Sequence, residues 1–247
     1  MLIINADDLG GTEETTDNII ACFRQGRITS ASAFVFMMDS RRAAISTAGA
    51  GLETGLHLNL DMMFDAPEVS AQLRRHHAAV VRYLRLGKWA QVVYNPFLKK
   101  DFDYVFKAQY DEYCRLYGKE PAQIDGHHHL HLCMNIMVDR LIPPGSRVRR
   151  NFSAEPERKS IINRFYRRTL DALLARRYRC TDWFYSLEPA DNFRRLERIM
   201  RLAARSNVEL MVHPASIAQC EFLMSSYFRD LIAPVPKGSY RTLPISF

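Results

Sequence analysis

Four histidines and an aspartate fall within the eight residues DGHHHLHL, Asp125 to Leu132, of a chain that has only eight histidines. Imidazole and carboxylate groups bind divalent cations and move protons near neutral pH. In an extended strand, Asp125, His127 and His129 would lie on one face and His128 on the other. We therefore expect at most one or two of these histidines to bind an ion, while the others orient ligands or bind substrate.

Three other groups of polar residues follow short apolar runs, where predicted strands end. In parallel α/β folds the reacting side chains collect at this end of the strands. Six of the eight histidines belong to the four clusters, whereas His76 and His77 lie in a stretch with the pattern of an exposed helix. The three further groups are Asn5 with Asp7 and Asp8, His57 with Asn59, and His213 before Pro214.

These residue types favour a catalytic divalent cation. Carboxylate and imidazole ligands from three strands would leave open positions for water and substrate. Of two adjacent aspartates, one could bind the ion while the other accepts a proton from its water. Taken singly, each cluster also has a structural explanation: the acidic pair could cap a helix, His57 could be a buried core residue, and His213 could end a strand.

The elements that would position these clusters alternate along the chain. Short apolar runs, such as Leu2 to Ile4, are separated by segments with helical spacing, such as residues 99–117. This alternation predicts parallel strands joined by right-handed crossovers, and hence a barrel-like α/β fold. Residues 61–98 break the pattern with a helical, basic and aromatic sequence. We interpret them as a helical insertion after the third strand of a single domain, residues 1–247.

Composition restricts the class of protein. The chain has 247 residues, of which 47% are hydrophobic and 25% charged, as is typical of a globular protein with a packed core. Five scattered cysteines without a C-x-x-C pair predict neither a disulfide framework nor a thiolate zinc site. The N-terminal MLIINADDLG lacks a basic region, and no later run is long enough to span a bilayer. We therefore expect a cytoplasmic protein without a transmembrane segment.

The net charge of +7 is concentrated in an arginine-rich segment, residues 147–179, with a long helix expected from about Ser160. The simplest interpretation is a solvated basic helix face. An anionic substrate, an anionic lipid surface or a nucleic acid would also fit these charges. Weak contact with a membrane surface and formation of a homo-oligomer both stay open.

The motifs NADDLG, GLHLNL, DGHHHLHL and VHPA, in this order and followed by GSYRTL, resemble the YdjC-like carbohydrate deacetylases. The resemblance covers essentially the whole chain and implies a distorted TIM-like (β/α) barrel. It also implies a metal-dependent hydrolase that removes an acetyl group from an N-acetylated sugar. Leucine replaces a more usual phenylalanine in NADDLG, and Gly126 stands where serine is familiar, but neither change touches an implied ligand.

The resemblance also implies a role for each motif residue. Asp8, His57 and His127 would bind one divalent metal ion, with zinc or magnesium favoured and nickel or cobalt as alternatives. Asp7 would be the catalytic base and His213 the catalytic acid. We expect substrate-binding residues among the other polar members of the clusters: Asn5, Asn59, Asp125, His129 and His131.

Two other function classes are open at this stage. The first is another metal-dependent amidohydrolase, or a phosphoesterase, on the same barrel, which acetate release would distinguish. The second is a non-catalytic protein that binds carbohydrate or nucleic acid through its basic helices. We favour the hydrolase and expect no nucleic-acid partner, because a binding module has no need of two aspartates and two histidines at adjacent strand ends.

Overall fold

The computed structural model describes residues 1–153, 169–188, 190 and 192–243. Its strands form one parallel sheet, which gives the α/β class that the sequence predicts. The order across this sheet is fourth, third, second, first, sixth and fifth strand. The strands are β1 (Leu2–Leu9), β2 (Ser30–Ala33), β3 (Glu53–Leu58), β4 (Ile124–Gly126), β5 (Trp183–Ser186) and β6 (Val208–Val212).

The described helices follow or connect these strands. No described helix is both long and apolar enough to cross a lipid bilayer. Short 3-10 helices occur at Pro96–Leu98, His127–Leu132 and Tyr240–Thr242. The α-helices with both ends described are α1 (Glu13–Arg24), α2 (Ser40–Ala50), α3 (Ala71–Leu84), α4 (Trp89–Val92), α5 (Lys99–Tyr117), α6 (Met134–Val138), α7 (Phe193–Ala203), α8 (Ile217–Met224) and α9 (Ser226–Ile232).

Single bridges connect the two edges of this sheet. Val148 bridges to Ile124 of β4, and Arg147 bridges to Arg179, shortly before β5. The amide of Ser153 donates to the carbonyl of Phe184 in β5 at 3.0 Å. The arrangement is consistent with a distorted barrel. Its description as one domain with an insertion at residues 61–98 stays a prediction.

Local sequence explains where several elements begin and end. Thr12 and Ser70 cap α1 and α3, because their side chains accept hydrogen bonds from backbone amides in the first helical turn. Gly51 and Gly118 follow α2 and α5 in the left-handed conformation, where glycine is not strained. All five residues of β6 are buried, as expected for a strand covered on both faces.

The segment between β3 and β4 holds one correction. The sequence pattern predicts an exposed helix around His76 and His77, yet His77 is 0% exposed. Its ring stacks on Phe64 with centroids 3.7 Å apart, and its Nε2 lies 3.2 Å from the carbonyl oxygen of Asn59. The expectation is wrong for His77, because this face of α3 packs on the loop after β3.

Strand boundaries also differ from the sequence interpretation. The apolar run from Ser30 continues to Met38, but β2 ends at Ala33. The strand expected at Cys180 to Phe184 lies at Trp183–Ser186, and residues 147–149 form single bridges without a regular strand. The expected start of the long basic helix, at about Ser160, lies outside the described residues. Residues 169–175 are helical.

Candidate active site

The two aspartates of NADD lie in an irregular part of β1. Pairing between β1 and β2 shifts register between Ala6 and Leu9, and Asp8 has a positive φ of 69°. An irregularity of this kind re-aims side chains that would otherwise alternate. Asp7 is 2% exposed, whereas the side chain of Asp8 is 20% exposed. The adjacent carboxylates therefore enter different environments.

Asp8, His57 and His127 come together from the ends of β1, β3 and β4. Asp8 Oδ1 lies 3.2 Å from His57 Nε2 and 3.2 Å from His127 Nδ1. All three ligand atoms lie within 4.8 Å of one another. Phe34 packs edge-on against both imidazole rings and restricts their orientation. We call these three residues the donor cluster.

A second carboxylate orients the ring of His57 through the nitrogen that faces away from Asp8. Its Nδ1 lies 2.7 Å from Asp125 Oδ1, which leaves Nε2 facing Asp8. Burial works to lower the pKa of His57, but the carboxylates of Asp125, Asp8 and Asp7 outweigh it and raise the pKa to about 10. Surroundings that hold an imidazole in its charged form favour positive charge. The donor cluster is therefore suited to a cation.

Two overlapping groups of potential ligands are less suited to a cation. Asp7 and Asp125 approach His57, but both carboxylates already pair with the guanidinium of Arg149. Asp61 approaches His127 and His128, and it pairs with His128 Nδ1 at 2.6 Å. Within the part of the chain that the structure describes, the carboxylate of Asp8 has only imidazole partners. The donor cluster is therefore the group that best fits a divalent ion, with one carboxylate and two imidazoles as ligands.

Arg149 is fully buried next to the donor cluster and contacts three carboxylates. Its Nη1 and Nη2 donate to the two oxygens of Asp7, at 2.6 and 2.7 Å. Nη2 also lies 2.9 Å from Asp125 Oδ2, and Nε donates to Glu209 at 2.7 Å. The planar fork of arginine suits such multiple pairing. With Tyr240, these residues form what we call the buried ion network.

The guanidinium determines the charge state of Asp7. Burial works to raise the pKa of Asp7, but Arg149 outweighs burial and holds the pKa well below its usual range. Asn5 Nδ2 also donates to Asp7 Oδ1, at 2.9 Å. Asp7 is therefore an ionised carboxylate in a fixed orientation.

Glu209 of β6 contacts the guanidinium from another side. The hydroxyl of Tyr240 donates to the Oε2 of Glu209. Burial raises the pKa of Glu209 to about 7, although Arg149 and Tyr240 favour its charged form. The charge of Glu209 is therefore expected to change near neutral pH.

The histidine-rich segment leaves the strand earlier than expected. β4 ends at Gly126, where a Cβ atom would lie only 2.9 Å from the backbone nitrogen of His131. Residues His127–Leu132 form a 3-10 helix in which His128 and His129 have positive φ angles of 51° and 59°. The expectation that strand alternation places His127 and His129 on one face is therefore wrong.

The other histidines of this segment have separate surroundings. The side chain of His128 is 65% exposed and pairs with Asp61. His129 is half-buried and contacts the rings of Phe152 and Phe184. His131 is 0% exposed, and its Nε2 lies 3.0 Å from the carbonyl oxygen of Arg149. Only His127 joins the donor cluster.

His213 follows β6 and is half-buried. Its backbone amide donates to Gln219 Oε1 at 2.8 Å, and Gln219 Nε2 donates to Glu188 at 2.7 Å. Asn18 holds the same loop through a hydrogen bond to the carbonyl of Pro214. Val212 pairs with Ala6 in the parallel sheet, so His213 follows its strand next to the position where Asp7 follows Ala6. The structure thus brings His213 to the Asp7 side of the site.

Four of the five expected substrate-binding residues are buried and bonded within the protein. Asn5 contacts Ser30, Ser32 and Gln123. The side chain of Asn59 accepts from the amide of Met62, and thus holds the turn after β3. These contacts indicate that the side chains hold neighbouring parts of the site in place. Substrate binding by these residues stays a prediction. The four residues, each 0% exposed, are Asn5, Asn59, Asp125 and His131.

Sequence reasoning assigned no role at the site to Arg149 or Glu209. The interpretation of the arginine-rich segment as a solvated face is wrong for Arg149, which is 0% exposed. The sequence around each residue nevertheless contains a pattern that indicates a buried charge. Glu209 is the only charged residue in the apolar run VELMV, and Val148 separates Arg147 from Arg149 in a short β pattern. A charge within a buried strand requires a partner of opposite charge.

Comparison with known proteins finds relatives along most of the chain. A chitooligosaccharide deacetylase from Escherichia fergusonii is 33% identical over 53% of this chain and 50% of its own length. The chain thus spans about half the length of that relative. A chitooligosaccharide deacetylase from Yersinia enterocolitica is 25% identical over 88% of this chain and 82% of its own length.

A solved structure shares the fold. A protein from Enterococcus faecalis, proposed to be a cellobiose-phosphate cleavage protein, aligns with a TM-score of 0.67 at 19% identity. The alignment covers 98% of this chain and 97% of that protein. The sequence signature of the YdjC-like protein family matches residues 1–233. With NADD, GLHL and GHHHLH meeting at one end of the sheet, the chain belongs to the YdjC-like protein family.

Proposed function

We propose that the protein is a metal-dependent hydrolase that removes the acetyl group from an N-acetylated sugar. The observation that carries this proposal is the convergence of Asp8, His57 and His127, beside an ionised Asp7, at the carboxyl ends of parallel strands. Family membership and relatives named chitooligosaccharide deacetylases support the choice of reaction and substrate class.

The donor cluster would hold one divalent ion, either zinc or magnesium, with nickel or cobalt as alternatives. Such an ion, when bound, acidifies a water molecule and polarises the carbonyl of an acetamide. Asp125 keeps the Nε2 of His57 directed at the cluster through its contact with Nδ1. A carboxylate that contacts the second ring nitrogen in this way is typical of histidine ligands in metal sites.

Asp7 accepts the proton of the attacking water in this proposal. The guanidinium of Arg149 ensures that the carboxylate is ionised and fixed before the substrate arrives. Because its pKa is low, Asp7 is a weak base and takes the proton late, as the oxygen bonds to the acetyl carbon. His213, on the Asp7 side, supplies the proton that the departing amine needs.

Acetate release tests the proposal directly. The substrates are N-acetylglucosamine, its β-1,4-linked dimer, a phosphorylated dimer and a lipid-linked analogue, each with added divalent metal and with chelator. Acetate that appears only with metal supports the deacetylase. Absence of acetate from every substrate, with metal bound at one ion per chain, would instead favour another hydrolytic reaction at the same site.

Two substitutions separate metal binding from proton transfer. His127→Ala removes a ligand, so both bound metal and acetate release should be lost. Asp7→Asn should retain the metal and lower kcat by about a thousandfold, which is the scale of general base catalysis together with local electrostatics. His76→Ala is the matched control, because His76 also pairs with an aspartate but lies on α3. Unchanged kcat in Asp7→Asn would refute the role of Asp7.

A further inference from the structure

The surface between α3 and α5 carries a dense group of exposed apolar side chains. Five of the fifteen large apolar residues that are exposed in the described part of the chain occur within the twelve positions 86–97. A local concentration of exposed apolar side chains is typical of an interaction surface. The five are Leu86 (61% exposed), Trp89 (51%), Val92 (51%), Val93 (47%) and Phe97 (92%).

Basic residues lie before and after these apolar residues in the sequence. The basic residues are exposed, and Val69 to Lys100 contains no acidic residue at all. We call residues 82–100 the basic apolar segment. Its basic members are Arg82, Arg85, Lys88, Lys99 and Lys100.

Contacts place this segment at the same end of the sheet as the donor cluster. The guanidinium of Arg85 donates to the carbonyl oxygen of Asp61, with Nη2 at 2.8 Å. The carboxylate of Asp61 in turn pairs with His128. The rings of His128 and His127 have centroids 4.1 Å apart. Three contacts thus connect the start of the basic apolar segment with a member of the donor cluster.

We propose that the basic apolar segment docks the protein on an anionic lipid bilayer, with the donor-cluster end of the sheet turned toward the headgroups. Trp89, Phe97 and the aliphatic side chains would enter the boundary between headgroups and acyl chains. The lysines and arginines would contact the anionic headgroups, with their aliphatic stems along the apolar patch. α4 has only four residues, so the segment would lie on the bilayer without crossing it.

The charge pattern favours a lipid surface over a second copy of the chain. Lys99 pairs with Asp139 at 3.1 Å. In a two-fold symmetric dimer the same patch would face itself, which would bring the other four cations of each copy together without acidic partners from the segment. A nucleic acid would use the cations but would gain little from the exposed Leu86, Val92 and Val93, which cannot stack on bases as aromatic rings do. An anionic bilayer uses both features.

Vesicle binding by the whole protein, without substrate, tests this proposal independently of the deacetylase activity. We would measure sedimentation with vesicles of phosphatidylcholine, and with vesicles in which about a third of the lipid is phosphatidylglycerol. Binding is expected only to the anionic vesicles, and it should weaken as salt rises. In a Trp183→Phe background, the emission of Trp89 should shift to the blue and be quenched by brominated acyl chains.

Matched variants localise the contact. Phe97→Ser and the pair Lys88→Glu with Lys100→Glu should each lower vesicle partitioning at least tenfold. Phe193→Ser controls for loss of an exposed aromatic ring, since Phe193 is 49% exposed on α7. The pair Arg198→Glu with Arg201→Glu controls for the same change in net charge. Both controls should bind like the unmodified protein.

Three outcomes would overturn the proposal. The first is equal sedimentation with neutral and anionic vesicles, or none with either. The second is an equal loss of binding in the control variants, which would indicate a non-specific response to net charge. The third is a concentration-dependent dimer that Phe97→Ser dissociates in the absence of lipid, which would assign the patch to a second copy of the chain.

Discussion

Cations occur in two contrasting settings, the buried ion network and the basic apolar segment. In the network, one guanidinium lies among three carboxylates and is 0% exposed. In the segment, five cations and five exposed apolar side chains share the surface, no acidic residue occurs between positions 82 and 100, and Lys99 pairs with the more distant Asp139.

The contrast shows that the role of a basic residue depends on the carboxylates within its reach. Arg149 satisfies buried carboxylates and thereby fixes Asp7 and Asp125, which adjoin the donor cluster. Lys88 and Lys100 carry charge at an exposed site, where an external partner can approach. Substitutions in the two regions should therefore differ in both size and kind of effect.

Arg149→Met should give the largest effect. It leaves Asp7, Asp125 and Glu209 buried without their cation, and removing one partner of a buried ion pair destabilises a protein by about 3–5 kcal/mol. The free energy of unfolding, from denaturant titration, is the measurement. Arg82→Met, at an exposed position, is the matched control and should change that free energy by about 0.5 kcal/mol or less.

If Arg149→Met yields too little folded protein, Arg149→Lys retains the charge but not the planar fork. Lysine cannot donate to the three carboxylates from fixed positions, so an intermediate loss of stability is expected. Equal stability of Arg149→Met and the unmodified protein would show that the network does not depend on its guanidinium.

Glu209→Gln should change the pH dependence of stability. The pKa of Glu209 is raised from about 4.5 to about 7 by burial, so the folded state binds this proton more tightly than the unfolded state. The contribution of Glu209 is therefore fully present below about pH 4.5 and is lost as the pH rises toward 7. The largest slope is about 1.4 kcal/mol per pH unit.

The comparison is between the unfolding free energies of Glu209→Gln and the unmodified protein at several pH values. The unmodified protein should lose stability relative to the variant between pH 5 and 7. A constant difference over this range would show that Glu209 does not titrate there. Glu197→Gln, on the exposed face of α7, is the control and should show no such trend.

Tyr240→Phe should give a smaller loss. It removes the hydroxyl that donates to Glu209 and leaves a buried carboxylate oxygen without that partner, which destabilises by about 1–3 kcal/mol. Because the hydroxyl favours the charged form of Glu209, its removal should raise the pKa of Glu209 in the folded state further, and the pH-dependent loss of stability should therefore continue to a higher pH. Tyr227→Phe, at a residue that is 40% exposed, should alter neither quantity.

The sequence predicted the convergence of the donor cluster better than the arrangement of the side chains around it. Asp8, His57 and His127 follow apolar runs whose strand character is evident, so their convergence follows from the topology of parallel sheets. The motifs around them also resemble a known family. The α/β class was predictable for the same reason, because strands and helices alternate along the chain.

The buried ion network was harder to predict, because its members are far apart in sequence. Arg149 and Asp7 are separated by 142 residues, and no local pattern pairs them. The 3-10 helix at His127–Leu132 was missed for another reason. Its course depends on the close approach of Gly126 to His131, and strand alternation cannot anticipate such a contact.

Lys88→Glu together with Lys100→Glu should give the smallest effect on stability. Both side chains belong to exposed residues, and exposed charges contribute about 0–1 kcal/mol. The free energy of unfolding should therefore change by less than about 0.5 kcal/mol per substitution, while partitioning onto anionic vesicles falls at least tenfold. Thermal unfolding and vesicle sedimentation of the same preparation measure both quantities. A loss of stability as large as that of Arg149→Met would show that these lysines have structural partners, and the contrast between the two regions would then fail.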